Sequence, residues 1–127
     1  MADSKIEQYL IDLMITFQQV EQDMWLLDDK EHSLLGVVVM QIENLVIVRA
    51  EVMDVPKSNL LELYTKLLEL NASDVVHGAY ALDKGRIVLI DTLRYESMDV
   101  KSFQASLDAI GTTLSDHYPI LSKYREK

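Results

Sequence analysis

Apolar and polar positions along this chain follow first a helical period, then a strand period, and then alternate between the two. Ser4-Lys5-Ile6-Glu7 has the form of a capping box, in which Ser4 and Glu7 satisfy free amides reciprocally. Ile6, Leu10, Leu13, Met14, Phe17 and Val20 follow at helical spacing and predict a first helix with one apolar stripe. Ile11 and Ile15 fall on the opposite side of that helix, a turn apart. Trp25-Leu26-Leu27 predicts a short strand ended by the acidic run Asp28-Asp29-Lys30-Glu31. The β-branched density of Ser33 to Gln41 and of Leu45 to Asp54 predicts a long hairpin turning near Glu43-Asn44. Its return strand places Val46, Val48, Ala50 and Val52 on one face. Leu45, Ile47, Arg49, Glu51 and Met53 take the other, which begins apolar and then turns charged.

Pro56 breaks that strand, and Ser58 or Asn59 can cap a second helix that Asn71 would stop in a left-handed conformation. Leu60, Leu61, Leu63, Tyr64, Leu67, Leu68 and Leu70 are too many large apolar residues for one core-facing stripe. The surplus predicts that a second subunit covers part of this helix, through Leu60, Leu63, Tyr64 and Leu67. The stretch HGAYALDKGRIVLID, His77 to Asp91, reads as two strands around a tight turn. Asp83-Lys84-Gly85 fits a type I turn with a left-handed glycine. Val76, Tyr80 and Leu82 share one face, while His77, Ala79 and Ala81 share the other and are small enough for a helix to lie close. After the turn, Ile87, Leu89 and Leu93 alternate with Val88 and Ile90, so the hairpin is apolar on both faces. Asp99 can cap a last helix carrying Val100, Phe103, Leu107, Ile110 and Leu114, with a kink or fresh turn expected at Pro119. The order is helix, three strands, helix, two strands, helix. It makes an α+β domain with an antiparallel sheet, and residues 1–127 form a single domain.

Composition narrows the function more than it names one. Asp and Glu outnumber Lys and Arg, giving a net charge of −9 spread along the chain, which disfavours nucleic acid and anionic membrane surfaces as partners. Cysteine is absent, which excludes disulfides, thiol nucleophiles and thiolate metal sites. No basic leader or long apolar run is present, so we expect a cytoplasmic protein. His32, His77 and His117 lie far apart and none has a second ligand at helical spacing. The four glycines are isolated and offer no phosphate-cradling loop. We therefore expect no catalytic residue, no metal and no cofactor. Ile11, Ile15 and Trp25 are the candidate partner-binding residues, forming one apolar patch beside the first helix.

The phrase LLELNASDVVHGAYALDKGRIVLIDTL, Leu67 to Leu93, resembles the signature region of the class I type III secretion chaperones, the Tir chaperone family. There a leucine-rich helix ends in asparagine, a small-residue strand follows, and an Asp-x-Gly turn leads into a second apolar strand. Here these are Leu67, Leu68, Leu70 and Asn71, then Gly78, Ala79, Leu82 and Asp83, then Gly85, Ile87, Leu89 and Leu93. The YbjN-like proteins of the same fold fit as well. The resemblance implies a small acidic homodimer that is not an enzyme, with much of the dimer contact on the second helix. It also implies that a client protein is held in extended form along apolar patches on the first helix and sheet. Arg94-Tyr95-Glu96-Ser97 stands where the family commonly has Leu-Pro. A YbjN-like regulatory domain acting through a stable protein partner, outside secretion, is the alternative.

Overall fold

The computed structural model describes residues 4–125. In chain order the elements are α1 (Lys5–Asp12), β1 (Phe17–Glu21), β2 (Met24–Asp29), β3 (Leu34–Ile42), β4 (Leu45–Asp54), α2 (Leu60–Ser73), β5 (Ala79–Asp83), β6 (Arg86–Arg94) and α3 (Val100–Ser122). The six strands form one antiparallel sheet in the order β1-β2-β3-β4-β6-β5. The α+β class with an antiparallel sheet is therefore correct, and there is one more strand than the sequence pattern predicts.

The extra strand comes from residues assigned above to the first helix. Spacings of three and four at Leu10, Leu13, Phe17 and Val20 suit a helix, but the helix closes early. Met14 takes a left-handed φ of 59°. The amide of Met14 donates to the Ile11 carbonyl, and that of Ile15 reaches back to Leu10, both at 3.0 Å. This is a Schellman closure with methionine where glycine is usual, and it pairs the last residue with the helix through apolar contact. Ile15 is accordingly buried with Leu10 in the core, and is not a helix residue. At the other end Ser4 Oγ accepts the amides of Ile6 and Glu7 as expected, at 3.1 and 3.5 Å. The Glu7 carboxylate instead accepts the indole N–H of Trp25 at 3.2 Å.

Cross-strand register sorts the side chains into two faces. Phe17, Leu27, Val37, Ala50, Leu89 and Tyr80 stand in one row across all six strands, with Trp25, Val39, Val48 and Asp91 in the next. α1 and α3 cover this face. Ile6, Leu10, Phe103, Leu107, Ile110 and Leu121 join those strand residues in one core. The tyrosine of α1, Tyr9, meets Phe103 of α3 at 5.8 Å between ring centres. Asp91, on this covered face, accepts the hydroxyl of fully buried Ser106 at 2.7 Å. The helical side of β5 is therefore the one with Tyr80, not the small set with Ala79 and Ala81.

Three further expectations change. The Asp83–Arg86 connection is a two-residue turn with Lys84 and Gly85 both at positive φ, the type I′ geometry that matches strand twist. α3 continues past Pro119 to Ser122, so no fresh turn starts there. α2 continues past Asn71 to Ser73, because the Asn71 side chain has another role. Its carbonyl accepts the Tyr80 amide at 2.7 Å and its amide donates to the Tyr80 carbonyl at 3.3 Å. It stands in for a missing neighbour strand, and α2 thereby closes the β5 edge of the sheet. No helix among the described residues is long and apolar enough to cross a membrane.

The loop before β3 is tied by Asp29, which is buried beneath it. Its carboxylate accepts the amides of Thr16 at 2.8 Å and His32 at 3.2 Å, and lies 3.0 Å from His32 Nδ1. The Thr16 amide, then the His32 side chain, hold its pKa down to about 2 against the opposing effect of burial. Because the folded value lies below the unfolded one, the stabilisation is complete above about pH 5 and is lost as pH falls toward 2. Asp29→Asn is expected to lower stability by about 2 kcal/mol at neutral pH. The gap from wild type in urea midpoint should shrink steadily between about pH 5 and pH 2.5. A gap that does not change with pH would show that the charge of Asp29 contributes nothing.

Candidate functional site

An antiparallel sheet that packs one face on its core ordinarily shows water a polar second face. Here the second face carries no helix and is apolar across its middle. Register places Leu26, Val38, Arg49, Ile90 and Ala79 in one row, and Met24, Met40, Ile47 and Thr92 in the next. Leu26, Val38, Met40, Ile47 and Ile90 are each half-buried by their strand neighbours alone. Val20, Leu35, Ile42 and Leu45 extend the band outward and are exposed. Leu26, Leu35, Val38 and Met40, with Arg49 and Glu51, line a shallow groove of about 520 Å³. A contiguous apolar surface of this kind on a small protein marks a place where something else binds.

The charges on this face are arranged to leave the band open. Arg49 on β4 pairs with Asp83 on β5 at 2.6 Å, so the pair crosses over β6 at the level of Val88. Beside it Arg86 pairs with Glu51. Under these two bridges Val88 is fully buried although no helix covers it. The half of the face nearest β5 is thus roofed by its own ion pairs, while the half built from β1, β2 and β3 is bare.

The sequence-predicted residues are not brought together. Ile11 is 55% exposed on α1, beside the exposed Met14. Ile15 is buried by the Schellman closure, and Trp25 is 1% exposed beneath α1 with its indole N–H bonded to Glu7. Ile15 and Trp25 therefore belong to the core, and the three residues form no common patch. On α2 the leucine surplus is divided differently from the expectation. Leu63 and Leu67 lie in the domain's own core and Leu60 and Tyr64 are half-buried, whereas Leu61 and Leu68 are 83% and 67% exposed. Leu68 and Tyr64, with Tyr80, Ala81 and Leu82 of β5, line an apolar hollow of about 380 Å³. The resemblance implies client contact on the sheet, but no residue of the bare face of β2 and β3 is among the candidates named from the sequence, although it has a signal: LLGVVVM (34–40) and LVIV (45–48) are apolar at both parities, which a half-solvated strand should not be.

A second buried polar network, away from Asp29, joins three elements. The Tyr80 hydroxyl lies 2.6 Å from His117 Nδ1, and His117 Nε2 lies 3.4 Å from Asp74 at the end of α2. Burial, and then the charge of Asp74, push the Tyr80 hydroxyl's pKa up, so it stays protonated and can donate to the ring. With Nε2–H turned toward Asp74, every group of the trio is satisfied. The trio pins β5 and α2 to α3. A cavity of about 650 Å³ reaches His117 from the Leu114–Tyr118 side, but the ring nitrogens are already engaged. Among the described residues no three acidic, histidine or cysteine side chains converge as a metal site.

The family model described as CesT_Tir_1 matches residues 2–127, and the chain belongs to this type III chaperone family. No curated protein matches it in sequence. Among solved structures it is similar to a chain of the heterodimeric ExoU-SpcU complex from the type III secretion system of Pseudomonas aeruginosa, with 20% identity and a TM-score of 0.64 over 90% of this chain and 95% of that one. YbjN from E. coli is similar at 19% identity with a TM-score of 0.69, over 90% of this chain and 89% of that one. A chain of the ExsC-ExsE complex shows 11% identity and a TM-score of 0.59, over 92% and 93%. At these identities the three structures establish the fold.

Proposed function

We propose that this domain is a non-enzymatic protein-binding module that holds a segment of a partner protein against the helix-free face of its sheet, and that it works as a homodimer in the cytoplasm. The observation that carries the reading is the unroofed apolar band of β2, β3 and β4, on a sheet whose other face packs into the helical core. Family membership supports it, as do two of the similar structures, which are described as complexes, ExoU-SpcU and ExsC-ExsE. Ile11 and Met14, exposed at the end of α1, offer a second contact. The dimer is assigned to Leu61, Tyr64 and Leu68 of α2 together with Leu82 of β5, in place of the buried Leu63 and Leu67.

The test is co-purification of the tagged chain from its own cells, with mass spectrometry of what accompanies it. Met40→Asp with Ile47→Asp places two charges on the band without touching the core. The two aspartates stand opposite each other across β3 and β4, so the double variant is expected to stay folded with a lower urea midpoint, and to lose the accompanying protein at least about 10-fold, as removal of central apolar contacts does. Ile11→Asp is expected to weaken binding less. Retention of the partner by the double variant would overturn the reading.

A further inference from the structure

The bare half of the open face has a charge signature of its own. Between Lys5 and Arg49 the only basic residue besides histidine is Lys30, so β1, β2 and β3 contain neither lysine nor arginine. Their margins carry Glu21 and Asp23 at the β1–β2 turn, Asp28 at the far end of β2, and Glu43 at the β3–β4 turn, all exposed. Among the described residues none of these four takes part in an ion pair, whereas Arg49, Arg86 and Arg94 on β4 and β6 are each matched by an acid. One half of the face is thus balanced, and the other is an apolar floor inside an uncompensated acidic rim.

Resting on the docking reading above, we propose that the segment held on this face is apolar along one side and flanked by lysine or arginine. An acidic or neutral flank would leave four carboxylates facing like charge or nothing. A basic flank pairs with them at the rim, where electrostatics decides which partner is admitted and how fast it arrives. The same rim rejects a second copy of this chain. Two-fold packing of this half on itself would set the acids of one copy against those of the other.

The test uses two synthetic peptides with the same apolar stripe, one with lysine flanks and one with glutamate flanks, titrated against the intact protein by fluorescence anisotropy. The lysine peptide is expected to bind at least about 10-fold more tightly at low salt, and the preference should fall as salt is raised. Glu21→Gln, Asp23→Asn, Asp28→Asn and Glu43→Gln combined should remove most of the preference. Asp108→Asn with Asp116→Asn, distant on α3, should leave it intact. Met40→Asp should weaken both peptides. Equal binding of the two peptides to wild type, both lost in Met40→Asp, would overturn the charge inference and leave the docking face standing. Binding of neither peptide would remove the docking face and this inference together. A change in the mass of the free protein on Met40→Asp would assign the face to a second copy and overturn the inference.

Discussion

Gly78→Ala is expected to destabilise the domain by about 3–5 kcal/mol, near the upper end of what one substitution does. Gly78 sits at φ +83°, where a side chain is strained before any neighbour is considered. A Cβ there would lie 2.2 Å from the Ile90 carbonyl oxygen and 2.9 Å from its carbon. Those atoms belong to the backbone of β6, which is bonded to β4 on one side and β5 on the other, so they have nowhere to go. The chain must move instead, at the point where it enters β5. That entry sets the place of Tyr80, whose backbone is held by Asn71 and whose hydroxyl meets His117. Gly85 provides the control: its φ is +82°, but nothing lies within 4 Å of its Cβ position. Gly85→Ala should cost only about 1 kcal/mol of backbone strain. Urea denaturation of the two variants separates the contributions, and equal losses would show that the close approach to Ile90 does not matter.

Leu61→Asp with Leu68→Asp is expected to convert a dimer into a folded monomer. Both side chains are largely exposed on the outer stripe of α2, beside Tyr64 and the hollow that ends at Leu82. Burying a leucine contributes about 2 kcal/mol, and a two-fold contact counts each residue twice. Losing four such contacts and gaining four charges should weaken association by at least about 1,000-fold. Sedimentation equilibrium at micromolar concentration should give twice the chain mass for wild type and the single chain mass for the variant, with unchanged far-ultraviolet circular dichroism. A wild-type protein that is monomeric at all concentrations, or a variant that still pairs, would remove α2 from the interface.

The long hairpin, α3 and the β5–β6 pair are legible in the sequence because β-branched alternation and helical spacing there are unambiguous over many residues. β1 is not, because Phe17 and Val20 continue a three-and-four spacing and the break depends on Met14 accepting a left-handed φ, which methionine does not advertise. That one hidden turn also decides the place of Ile15. Asn71 stands out in the sequence as a helix stop, yet it lies inside the helix and completes a sheet edge nine residues away. On α2 the number of leucines points to a second contact, but a helix apolar on several sides does not say which side is its own core. Trp25 shows the same limit, since only the folded chain places Glu7 over its indole. The open face is partly visible as strands apolar at both parities. Its acidic rim requires knowing that the β1–β2 and β3–β4 turns lie at the same end of the sheet.

The six methionines give the most direct test of where the partner sits. Met24 and Met40 lie opposite each other on the open face, Met14 marks the end of α1, and Met53 and Met98 are in the core. With the methyl groups isotopically labelled, the spectrum should be recorded free and with the co-purified partner. Met24 and Met40 are predicted to shift or broaden strongly, Met14 to respond less, and Met53 and Met98 to stay in place. Unmoved Met24 and Met40 in the saturated complex would contradict the open sheet face as the binding site.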